Sequence, residues 1–148
     1  MSNESDVRYA GDLSAAEAYD VLAREASSVL IDVRTQAEWA FVGVPDLAAL
    51  AKTPVFAEWQ AFPAMAVDAA FASRLADALE RVGVKPGAKL LFLCRSGARS
   101  RHAAVAMTEA GWAPCYNIAD GFEGPLDPRR HRNVAGGWRA GNLPWTQT

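Results

Sequence analysis

Cys94 has the clearest chemical setting in the chain. It ends an apolar run, Lys89-Leu90-Leu91-Phe92-Leu93, and opens a loop, Arg95-Ser96-Gly97-Ala98-Arg99-Ser100, that holds two arginines and a glycine. A small-residue segment with helical spacing, Ala103 to Ala110, follows and stops at Gly111. Strand, tight loop and helix in that order aim backbone N–H groups at an anion, and the positive end of the helix dipole favours negative charge there. Such surroundings favour a thiolate: helix N-termini and nearby cations can pull a cysteine pKa from ~8.5 down to roughly 3.5–7.5. Cys94 therefore reads as a nucleophile. A cysteine that merely ends a strand is ordinarily a small core residue, and the loop is what separates Cys94 from that case. Cys115 has no loop, glycine or cation beside it and reads as core.

Other candidates carry less. His102 and His131 are far apart in sequence and have no ligand spacing with the cysteines, so no metal site and no cofactor are expected. The Gly97 loop lacks the Gly-Lys-Ser/Thr ending of a nucleotide-binding loop. Asp32 ends the run Val29-Leu30-Ile31 and reads as a brace for the Cys94 loop. Arg34 reads either as an ion-pair partner or as a contact for an anionic substrate. Arg129, Arg130 and Arg132 read as a solvated face, with a donor-binding or docking role as the alternative. Trp39 and Trp59 read as core.

Three ordered segments carry a resemblance. Cys94-Arg95-Ser96-Gly97-Ala98-Arg99-Ser100 is similar to the active-site loop of rhodanese-like sulfurtransferases. Leu30-Ile31-Asp32-Val33-Arg34-Thr35-Gln36-Ala37-Glu38-Trp39 resembles that family's first signature. Tyr116-Asn117-Ile118-Ala119-Asp120-Gly121-Phe122-Glu123-Gly124 resembles the segment that follows its active-site helix. The likeness covers residues 8–124 and extends toward the tail. One departure is Val42-Gly43-Val44-Pro45-Asp46-Leu47-Ala48, which stands where many members carry Gly-His-Ile-Pro-Gly-Ala.

The resemblance implies a rhodanese-like three-layer α/β fold, a central parallel sheet of about five strands with helices on both faces. It also implies a sulfurtransferase that moves a sulfane sulfur from thiosulfate or a persulfide donor to a thiol or cyanide acceptor through a Cys94 persulfide. In that reading the loop N–H groups from Arg95 through Ser100, those of Ser96, Gly97, Ala98 and Arg99 included, stabilise the anionic sulfur. Gly97 lets the backbone turn with positive φ. Ser100 either caps the following helix or hydrogen-bonds the sulfur. Arg95 and Arg99 attract the donor and hold departing sulfite, or one of them bonds protein carbonyls instead. Asp32 and Arg34 stand behind this loop. The rival chemistry is phosphoester hydrolysis, since a phosphatase branch and an arsenate reductase branch share the fold. Tyrosine and dual-specificity phosphatases carry Cys-x5-Arg, whereas Ser100 stands at that position here and Arg99 gives Cys-x4-Arg. The resemblance implies that a six-residue loop makes a cradle suited to a sulfur atom on the thiol, which one more residue would widen for a tetrahedral phosphate. A second alternative is a carrier or protein-binding module that holds a persulfide without fast turnover.

Composition narrows the classes. The chain has 148 residues, 51% hydrophobic and 22% charged, which suits one globular domain rather than a disordered chain. A net charge of −2 gives no reason to expect nucleic acid or an anionic membrane as partner; the partners that the resemblance implies are a small-molecule sulfur donor and a thiol acceptor. The start, Met1-Ser2-Asn3-Glu4-Ser5-Asp6, has no basic or apolar leader, and no apolar run approaches the ~20 residues of a membrane helix. A cytoplasmic protein without structural disulfides is expected.

The elements follow from periodicity. Residues 1–6 read as a disordered tail, 7–124 as the domain, and 125–148 as an extension packed on it through Trp138, Leu143 and Trp145. Val7 to Ala10 reads as a first strand. Ser14 and Glu17 have capping-box spacing and start a helix that runs to Glu25, burying Ala18, Val21 and Leu22. Val29 to Val33 lacks polar alternation, as a strand buried on both faces does. Thr35 and Glu38 repeat the capping-box spacing ahead of a short helical turn. A strand is expected through Leu47 to Leu50, within an irregular connection. Phe71, Leu75, Leu79 and Val82 predict a helix over 68–82 with Gly83 behind it. Pro114 to Ile118 reads as the last strand. In such open sheets ligands bind beyond the carboxyl ends of the strands, where both Cys94 and the Asp32–Arg34 pair fall.

Overall fold

A computed structural model describes residues 8–61 and 63–147 of the chain; the tail expected over residues 1–6 lies outside them. The elements in chain order are β1 (Gly11–Leu13), α1 (Ala15–Arg24), β2 (Val29–Asp32), α2 (Gln36–Val42), β3 (Val44–Pro45), β4 (Val55–Phe56), β5 (Gln60–Ala61), β6 (Ala66–Val67), α3 (Phe71–Arg81), β7 (Leu90–Leu93), α4 (Ala98–Glu109), β8 (Cys115–Ile118) and β9 (Trp145–Thr146). Five strands form one parallel sheet in the order β1-β8-β7-β2-β4. This is the rhodanese-like α/β fold that the sequence implies.

The apolar runs alternate between two cores because successive strand side chains point to opposite faces. Ile31, Leu90 and Phe92 join Phe71, Leu75 and Leu79 of α3 and Ala103, Ala104 and Met107 of α4 on one face. Leu30, Leu91 and Leu93 join Ala18, Val21 and Leu22 of α1 with Phe122 and Trp138 on the other. All four residues of β7 are fully buried. Each buried Leu or Phe contributes about 1.5–3 kcal/mol. Asp32 pairs with Leu93 in the β2–β7 register, so Cys94 and the chain after Asp32 leave the sheet at one edge.

Capping at Ser14 with Glu17, and at Thr35 with Glu38, is present in full at α1 and α2. Five local expectations change. Of the strand expected over 7–10, Val7 lies outside the described residues, and among those described the first strand starts at Gly11, although Ala10 N–H already bonds the Cys115 carbonyl at 2.7 Å. Ala48–Leu50 is a 3-10 turn, not a strand, because the Asp46 carboxylate accepts the Ala48 N–H at 3.0 Å and curls the chain. Val82 sits at the C-terminal cap of α3, past the buried stripe, and is 64% exposed. The helix after Cys94 begins at Ala98, upstream of Ala103, so Arg99 and Ser100 lie in its first turn. Trp39 and Trp59 are only half-buried, Trp59 standing edge-on to Phe71 with ring centroids 4.9 Å apart.

Residues after Gly124 pack back on the domain. Trp138 is fully buried, and β9 pairs antiparallel with β3. Among the described residues no helix is long and apolar enough to cross a membrane.

Candidate active site

The Cys94 loop is short because β7 is buried to its last residue and α4 starts at once. Gly97 makes the turn with φ +109 and occupies the N-cap of α4. A Cβ there would stand 2.2 Å from the Ala119 carbonyl oxygen, so only glycine fits. The segment after β8 clamps the loop from outside: Phe122 N–H donates to the Cys94 carbonyl at 2.8 Å and Glu123 N–H to the Arg95 carbonyl at 3.0 Å. Gly121 allows this approach, since its Cβ would lie 2.3 Å from the Arg95 oxygen.

Two groups converge on the Cys94 sulfur. The Gly97 N–H donates to Sγ at 3.1 Å, and the Ser100 hydroxyl lies 3.2 Å from it. Ser100 thus contacts sulfur rather than capping the helix. Ala98, Arg99 and Ser100 form the first turn of α4, where backbone N–H groups have no carbonyl partner inside the helix. The first N–H to find one is that of Arg101, on the Gly97 carbonyl.

The two loop arginines have different fates. Arg99 forks onto Glu38 of α2, with Nη1 and Nη2 at 2.7 and 2.9 Å from its two carboxylate oxygens. Burial pushes Glu38 up, but the Arg99 fork and the Thr35 N–H outweigh it and bring it down to about 2. Burial likewise works against charge on Arg99, and the Glu38 carboxylate overcomes it and raises its pKa. Arg95 is exposed and its side chain makes no hydrogen bond or ion pair among the described residues. Cys94, Arg95, Ser96, Ala98 and Arg99 line a cavity of about 630 Å³ together with Glu38, Phe41, Met65 and Arg132.

Asp32 and Arg34 are not in that cavity. Both are fully buried. The Arg34 Nη2 bonds Asp32 Oδ2 at 2.7 Å and the Gly43 carbonyl at 2.8 Å, and its guanidinium lies 4.2 Å from the Phe122 ring centroid. Of the two roles open to Arg34, the ion pair is the one seen. Asp32 braces Arg34, not the loop itself. Arg132 joins the site wall and ties its Nη1 to the Gly124 carbonyl at 2.7 Å. Cys115 is buried against the Trp112 carbonyl, and burial pushes its thiol up to about 11. A cavity of about 680 Å³ lies at the opposite sheet edge, but no cysteine or histidine lines it, and Lys52 Nζ there is spent on three backbone carbonyls.

Sequence reasoning placed Glu38 only as a helix cap. Its second task, holding Arg99, joins residues 61 apart and has no local signal. Asn117 was also missed as a site residue. Its side chain is buried against Ser100, and a buried amide in an apolar strand was the available sign.

The family described as STR4 middle domain matches residues 10–148. Rv0390 of M. tuberculosis is similar in structure with TM-score 0.84 and 46% identity, over 95% of this chain and 99% of that one. The polysulfide-sulfur transferase homodimer of Wolinella succinogenes shares the fold with TM-score 0.58 at 21% identity, over 97% and 82% of the two chains. A rhodanese-like domain protein of Staphylococcus aureus does so with TM-score 0.52 at 16% identity, over 94% and 99%.

Proposed function

The chain belongs to the STR4 middle-domain family and has the rhodanese-like fold, and from there we propose that it is a sulfurtransferase acting through a Cys94 persulfide. The observation that carries this reading is the placement of Cys94 Sγ at the unpaired first turn of α4, where the Gly97 N–H donates to it at 3.1 Å. The shared fold of a polysulfide-sulfur transferase supports it.

The reaction has two displacements. Cys94 thiolate attacks the outer sulfur of thiosulfate; the Cys94 S–S bond forms, the donor S–S bond breaks, and sulfite leaves with that electron pair. The new persulfide carries the negative charge, beside the N–H groups of the first α4 turn. An acceptor thiolate or cyanide then attacks the outer sulfur, and Cys94 thiolate is the leaving group. Among the described residues lining the cavity, Arg95 is a cation with no side-chain hydrogen bond or ion pair, and it suits the dianionic donor, whereas Arg99 is held by Glu38 and Arg132 is tied to the Gly124 carbonyl. The exposed Phe41 and Met65 give the cavity an apolar wall that suits an organic thiol better than cyanide.

Intact mass after brief exposure to thiosulfate tests this. The wild type gains one sulfur atom, lost again on adding a thiol, and Cys94→Ser gains none. No gain on reduced protein with thiosulfate or with a persulfide donor would overturn the reading. Loading and discharge without multiple turnovers would make the protein a carrier instead.

A further inference from the structure

Behind the sulfur runs a chain of hydrogen bonds with an unequal geometry. The Ser100 Oγ is 2.6 Å from Asn117 Oδ1 and 3.2 Å from Cys94 Sγ, yet a hydroxyl has one proton to donate. Asn117 Nδ2 lies 3.1 Å from Asp12 Oδ1, which also accepts the Tyr9 hydroxyl at 3.0 Å. An ionised carboxylate only accepts, so Asp12 fixes which end of the amide faces Ser100: it is the oxygen. Ser100 and Asn117 are buried, and Asp12 is exposed on the edge strand β1.

We propose that Asp12 and Asn117 are positioning residues that draw the Ser100 proton away from Cys94 and so oppose the thiolate that the Gly97 N–H and the first turn of α4 favour. With its proton on Asn117, Ser100 offers a lone pair to the sulfur, which suits S–H and opposes S⁻. Ionising Cys94 makes Ser100 turn its proton to sulfur and leaves the buried Asn117 oxygen without its donor, a cost that an exposed amide would not bear. The other charges around the sulfur are already engaged or lie outward. Arg99 is held by Glu38, and Arg34 by Asp32. Arg95, Arg132 and Glu123 face the donor cavity, while Arg101 and His102 border a separate cleft with Asp12. None of these sets the direction of the Ser100 hydroxyl.

The test is the pH profile of Cys94 alkylation by iodoacetamide in the full chain. Asp12→Ala, at an exposed position, frees the Asn117 amide to turn, and Asn117→Leu removes the acceptor. Each moves the alkylation midpoint to lower pH, with about three- to tenfold faster alkylation on the acid side. In a Ser100→Ala background neither substitution moves the midpoint further. An unchanged or raised midpoint in Asp12→Ala would overturn the proposal, as would the same shift with Ser100 absent; if Asn117→Leu does not fold, Asp12→Ala still decides it. The bearing on sulfur transfer rests on the function proposed above, but alkylation does not. A midpoint shift without sulfur loading would sink that function alone, and loading without a shift would sink this inference alone.

Discussion

At the scale of the residue, the site divides two arginines that look alike in sequence. Arg99 is structural to the cavity wall, its guanidinium fixed by a two-point carboxylate contact, whereas Arg95 is free to meet a ligand. Arg95→Ala should therefore raise KM for thiosulfate several-fold, on the order of 1 kcal/mol, with a smaller effect on kcat. The wild-type advantage should shrink with salt, because an exposed cation is screened. Steady-state kinetics at two ionic strengths checks both. Glu38 gives the second residue-scale expectation. Its carboxyl is lowered to about 2 in the folded protein, so the stability it supplies is complete above its ordinary value, and it is lost as pH falls from there through about 2. Glu38→Gln should lose about 1.5–3 kcal/mol of stability at pH 7, and the difference from wild type should close in that acid window. Denaturant melts across pH 2–7 measure this.

At the scale of the element, the Cys94 loop is held by what comes after β8 as much as by its own turn. Gly97 faces the Ala119 backbone and Gly121 the Arg95–Ser96 backbone at distances that exclude a Cβ, so the 119–124 segment and the loop form one unit. Gly97→Ala must relieve both a positive φ and a 2.2 Å contact with the Ala119 oxygen. It should cost about 1–3 kcal/mol and, by displacing the Gly97 N–H from Cys94 Sγ, reduce sulfur loading in the mass assay. Full loading with unchanged stability would contradict that account. The same elements show what a sequence pattern can reach. Capping at Ser14 and Thr35 and the stripe of Phe71, Leu75 and Leu79 are local, and they appear where periodicity puts them. The start of α4 is not local in this sense. Arg99, Ser100 and Arg101 carry no apolar stripe, and the helix forms there because Gly97 turns the chain onto the sheet.

At the scale of the whole molecule, the residues after Gly124 complete the face that α1 leaves open. Trp138 is fully buried in the second core, stands edge-on to Tyr19 with ring centroids 5.7 Å apart, and donates its Nε1 to the Pro144 carbonyl at 2.7 Å. Asp120 links the same region, accepting the Ala15 N–H at 2.8 Å and the Gly137 N–H at 3.2 Å. Trp138→Ala should cost about 3–5 kcal/mol, because a large cavity opens where three segments meet. Equilibrium unfolding checks it, and a loss under 1 kcal/mol would mean that this packing contributes little.

By itself the sequence determined the alternation of α1, α2 and α3 with β2, β7 and β8 in a parallel sheet covered on both faces, and the loop that presents Cys94, but not the edge strands, expected at 7–10 and 47–50 and found at Gly11–Leu13 and Val55–Phe56. What it determined depends on periodicity, capping and a glycine turn, which act over a few residues. Tertiary structure alone decided which arginine is free, that Glu38 serves α2 and Arg99 at once, that Arg34 is buried with Asp32, and that Asn117 stands behind Ser100. Each of those joins residues brought together only by the sheet register and the docking of α2 and α4, and side-chain type does not encode which distant partner a charge will meet.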